Sequence, residues 1–89
     1  MPKAEISWKR VTDEGVKLQV YAQHIGRDWK FFRREKRFSM WQPVPEPPLE
    51  DWLELLDAVQ RMVPRRRYQP SDEKDLKRQI LERFPEAEV

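Results

Sequence analysis

The sequence predicts an α+β fold, a four-stranded antiparallel meander sheet followed by two C-terminal helices in the order ββββαα. Three observations carry this. Apolar and polar residues alternate with period two from Ile6 to about Gln42. The proline-dense stretch "QPVPEPP" then interrupts regular structure, and the remaining residues place apolar side chains at helical spacing. The expected organisation is one small domain, residues 1–89. It comprises a sheet at about 6–42, a connector at 43–48, a helix at about 48–63, a basic link at 64–70, a helix at about 71–84 and a loose tail at 85–89.

In the first strand, "ISWKRVT" sets Ile6, Trp8 and Arg10 against Ser7, Lys9 and Val11. The turn "DEG" follows, with Gly15 suited to a left-handed position. "VKLQVYAQHI" then gives an apolar face of Val16, Leu18, Val20 and Ala22 and a polar face of Lys17, Gln19, Tyr21 and Gln23. "IGRD" is the next turn, and "WKFFRR" and "RFSMWQ" read as the third and fourth strands around a turn near Glu35 and Lys36. A short helix over "DWKFFRREKRF" is the rival for the third segment. Phe31, Phe38 and Met40 are expected in the core.

Four prolines between Pro43 and Pro48 make an extended connector, and Pro48 suits the first turn of a helix. That helix carries Leu49, Trp52, Leu53, Leu56, Val59 and Val63 on one stripe, widened by Leu55, Ala58 and Met62. Glu50, Asp51, Glu54 and Asp57 make its outer face acidic. Ser71 is the expected N-cap of the last helix, whose narrow stripe is Leu76, Ile80, Leu81 and Phe84.

Composition restricts function. With no cysteine there is neither a disulfide framework nor a thiolate metal site, which fits a reducing, cytoplasmic setting. No apolar run approaches the ~20 residues of a membrane span, so no membrane partner is expected. His24 is the sole histidine, no residue marks a nucleophile, and Gly15 and Gly26 cannot build a phosphate loop. Hence no catalytic residue, cofactor or metal is expected, and the chain reads as a non-enzyme.

The charge is uneven. Residues 1–44 hold ten Lys and Arg against five Asp and Glu, whereas residues 45–89 hold eight against eleven. If the Val16–Ala22 face packs on the long helix, the opposite face presents Lys9, Lys17, Gln19, Tyr21, Gln23, Lys30, Phe32, Arg34, Ser39 and Trp41. Cations among flat rings suit single-stranded RNA or DNA, because cations follow phosphates while bases stack on the rings. The expected nucleic-acid residues are Lys9, Lys17, Lys30, Arg33, Arg34, Lys36 and Arg37 for charge and Tyr21, Phe32 and Trp41 for stacking. Arg65, Arg66 and Arg67 are added as a phosphate-contacting loop, the sharper reading; favourable charge at the negative end of the helix dipole alone could explain Arg65 and Arg66. The alternative is a protein-interaction module or homodimer that uses Trp52, Leu55 and Met62 on the wide helix arc.

The order of four strands and a helix bearing "EDWLELL", over residues 6–63, resembles the single-strand-binding domains of transcriptional coactivators. That resemblance implies a curved sheet and dimerisation through the helix. The glycine–lysine pattern of the family's last strand is missing, the second helix is additional, and no residue role is carried over.

Overall fold

The computed structural model describes residues 5–26, 28–35 and 39–89. Four antiparallel strands, β1 (Glu5–Val11), β2 (Lys17–Ile25), β3 (Asp28–Arg34) and β4 (Gln42–Val44), form one sheet in the order β1-β2-β3-β4. Two helices follow, α1 (Leu49–Met62) and α2 (Pro70–Arg83). The chain forms two compact units, divided between Pro47 and Pro48.

In the sheet unit, the first hairpin closes through Gly15, whose φ of 82° is a conformation that glycine adopts without steric cost. The Gly15 N–H donates to the Thr12 carbonyl at 2.9 Å, and the Val16 N–H donates to the Thr12 hydroxyl at 3.1 Å. The register then sets the faces. Ile6 pairs with Ala22, Trp8 with Val20, Arg10 with Leu18, Ala22 with Phe31 and His24 with Trp29, so these residues share one side. Ile6, Leu18, Val20, Ala22, Trp29 and Phe31 are buried there. Trp8 meets Phe31 edge-on at 6.1 Å, and His24 stacks on Trp29 at 4.3 Å, which adds directional contact to area burial. Segment 28–34 is a strand, not the rival helix, because its alternation buries Trp29 and Phe31 on the side already built by β2.

The fourth strand departs from expectation. It begins at Gln42, not before Phe38, and includes Pro43 and Val44 from the expected connector. Pro43 pairs with Phe32 on an edge strand, where a missing N–H costs no ladder bond on the outer side. Met40 therefore precedes the strand and is 86% exposed instead of packed. Phe38, with Lys36 and Arg37, lies outside the described residues. Val16 also falls outside its strand and is exposed.

In the helical unit, α1 starts after Pro48, whose carbonyl accepts the Asp51 and Trp52 N–H groups at 3.0 and 3.3 Å. Trp52, Leu55, Leu56, Ala58 and Val59 are buried, and Leu53 is exposed. Asp51, expected on the acidic outer face, is instead 2% exposed. Pro64 removes an amide that would extend the helix. The chain then turns through Arg66 at φ 60°, with the Arg67 N–H donating to Met62 O and the Arg66 N–H to Val63 O. These two bonds form a Schellman closure.

The N-cap of α2 is Gln69, with Pro70 in the first turn, two residues before the expected Ser71. The reason is local: the Asp72 carboxylate accepts the Gln69 N–H at 2.9 Å, and proline suits a position that has no intrahelical partner. Leu76, Gln79 and Ile80 are buried, whereas Leu81 is exposed. Gln60 of α1 donates to the Glu73 carboxylate of α2 at 3.1 Å, and the Arg83 guanidinium lies 4.8 Å from the Trp52 ring centroid.

Candidate functional site

The second side of the sheet is built from the odd-numbered residues of β1 and β2 and the even-numbered residues of β3. Ser7 opposes Tyr21, Lys9 opposes Gln19, Tyr21 opposes Phe32, Gln19 opposes Arg34 and Gln23 opposes Lys30. Lys9, Lys17 and Lys30 are exposed on this side, with Val11 and Ile25 as exposed apolar residues near its ends.

At its centre the rings form one cluster. Tyr21 and Phe32 stack with centroids 4.8 Å apart and planes 18° from parallel, as neighbouring strands dictate. Trp41, although it precedes β4, meets Tyr21 edge-to-face at 4.7 Å with planes 86° apart. The Arg34 guanidinium lies 4.3 Å from the Trp41 ring centroid, and its Nε donates to Gln19 Oε1 at 2.7 Å. All three rings remain half-exposed. The cluster thus joins Tyr21, Phe32, Trp41 and Arg34 as the alternation predicts, with one difference. Tyr21 and Phe32 each direct one ring face at the other, so fewer stacking platforms remain than three separate rings would offer.

Gln19 is the residue that sequence reasoning missed. Its amide fixes the Arg34 guanidinium, and only the β2–β3 register, which places Gln19 opposite Arg34, makes this visible.

The cations divide by pairing. Among the described residues, Lys9, Lys17, Lys30 and Arg33 form no ion pair. On the helices, Arg61 pairs with Asp57, Lys77 with Glu73, and Arg78 with Asp75 and Glu82. The charge of these four sheet residues is therefore uncompensated locally, while much of that on the helices is neutralised by neighbours one turn away.

Other expected residues fall elsewhere. Arg33 opposes Val20 and so lies on the reverse side of the sheet from the rings. Arg65, Arg66 and Arg67 are exposed on the turn after α1, in the helical unit. Lys36 and Arg37 lie outside the described residues. On the expected partner-facing arc, Trp52 and Leu55 are 2% and 0% exposed, and Met62 is half-buried.

Among the described residues, no group of three or more His, Asp or Glu side chains could hold a metal ion, and no helix is long and apolar enough to cross a membrane. No family model, curated protein or solved structure matches this chain.

Proposed function

We propose that the chain is a non-enzymatic nucleic-acid-binding module for single-stranded RNA or DNA, which it contacts through the Tyr21–Phe32–Trp41 side of the sheet. The observation that carries this reading is the joining of half-exposed rings to uncompensated cations on one surface. Single strands expose base faces that duplexes bury, and each base stacked on an aromatic ring contributes about 1–3 kcal/mol. Lys9, Lys17 and Lys30 would meet phosphates around the ring cluster, and Arg34 would hold the Trp41 ring while adding charge beside it.

Salt dependence tests the proposal. Each neutralised phosphate of a single strand contributes about −0.7 to the slope of log K against log salt, so three lysine contacts predict a slope of about −2. Lys9→Ala, Lys17→Ala and Lys30→Ala should each flatten that slope by about 0.7. A labelled oligonucleotide followed by fluorescence anisotropy gives the slope, and binding that ignores salt would contradict the reading.

A further inference from the structure

We infer that Arg34 reads the base beside it, so that the ring cluster favours guanine over adenine; the inference rests on the single-strand reading above. Lys9, Gln19 and Arg34 stand opposite one another across β1, β2 and β3, one row along the sheet from Tyr21 and Phe32. The Arg34 guanidinium is fixed from two directions. Its Nε donates to Gln19 Oε1 at 2.7 Å, and its central carbon lies 4.3 Å from the Trp41 ring centroid. Immobilising a long side chain on binding ordinarily costs free energy. Here much of that ordering precedes any ligand, while Arg34 stays half-exposed.

The bond to Gln19 also selects the edge that a base meets. A guanidinium carries five N–H donors in a planar fork and no acceptor. With Nε engaged by Gln19, the two Nη groups form a pair of parallel donors, which matches two adjacent acceptors. Guanine has such a pair in O6 and N7. Adenine has N7 beside an amino group, so a donor would face a donor. Bases splayed onto rings from a single strand leave this edge open. The same fork fits a phosphate. Its place over Trp41 favours a base, because bases lie on the rings while phosphates follow the surrounding cations. Lys9, on the far side of Gln19, would serve the phosphate and carry no base information.

The test compares single-stranded DNA of about twelve nucleotides built from TTG repeats with the same length of TTA repeats, a size within the range of single-strand sites. Both bases are purines, so the comparison isolates the edge. Fluorescence anisotropy at neutral pH gives affinities for wild type, Arg34→Lys and Lys9→Ala, and circular dichroism checks that each variant is folded. Wild type should bind the TTG strand about tenfold more tightly. Arg34→Lys keeps the charge and loses the fork, so the ratio should fall to within about twofold while affinity for the TTA strand changes little. Lys9→Ala should weaken both strands alike and preserve the ratio. Replacing guanine by 7-deazaguanine, which has a C–H group in place of N7, should remove most of the preference. Equal affinities in wild type, with binding still lost on Trp41→Ala, would overturn base reading by Arg34 and leave the sheet-face reading intact. A preference that survives in Arg34→Lys or with 7-deazaguanine would also overturn it. No binding to either strand would remove both.

Discussion

At the scale of single residues, Trp41 shows both the reach and the limit of alternation. Parity placed its ring beside Tyr21 and Phe32, and it is there, although the residue precedes its strand. Trp41→Ala should weaken single-strand binding by about 1–3 kcal/mol while leaving the thermal midpoint nearly unchanged, because the ring is half-exposed. Affinity and a melting curve measured on the same sample check both halves of that statement. Tyr68 makes a different kind of prediction. It is buried, and its phenol is raised above the ordinary value near 10 first by burial and then by the Asp72 carboxylate. The folded state therefore favours the protonated phenol. Its contribution is fully present below pH ~10 and declines as pH rises through the higher folded value. Denaturation midpoints above pH ~10 should fall more steeply for wild type than for Tyr68→Phe. Parity left Met40 in the core and Gln19 without a role, because neither exposure nor cross-strand register is contained in local alternation.

At the scale of elements, the strands with turn residues at both ends were legible. Gly15 and the "VKLQVYAQHI" pattern define the first hairpin within a residue. β4 was not, because proline usually ends a strand and only the edge position of Pro43 allows it to continue one. The start of α2 shifted for a similar reason, since Asp72 and Pro70 together specify Gln69 as the cap more strongly than a serine hydroxyl specifies Ser71. The end of α1 carries a cost the sequence does not advertise. Arg66 adopts a left-handed conformation that costs an L side chain roughly 1–2 kcal/mol. Arg66→Gly should thus stabilise the chain by about 1 kcal/mol, read as a higher denaturant midpoint at constant slope. A fall in stability would mean that the Arg66 side chain makes contacts worth more than its backbone strain. Within the same unit, Leu76→Ala should cost about 2–5 kcal/mol, because the side chain is fully buried and surrounding groups relax only partly into the space it leaves.

At the scale of the whole molecule, segregation of charge was readable from composition, while its consequence depends on pairing. The helices carry their charges largely as i,i+3 and i,i+4 pairs, and the sheet leaves Lys9, Lys17 and Lys30 unpaired around three rings. The wide arc of α1 was the alternative surface read from the sequence, and Trp52, Leu55 and Leu56 on it are buried. Exposure separates surface from core, and composition alone does not report exposure. The four tryptophans make the central claim testable in one spectrum. Trp41 lies with the ring cluster, Trp8 and Trp29 lie on the reverse side of the sheet, and Trp52 is buried in α1. Titrating ¹⁵N-labelled protein with a single-stranded oligonucleotide should shift the Trp41 indole N–H resonance and leave the other three nearly in place. Movement of Trp8, Trp29 or Trp52 with Trp41 unmoved, or no movement of any indole signal, would contradict the assignment of the nucleic-acid surface to this side of the sheet.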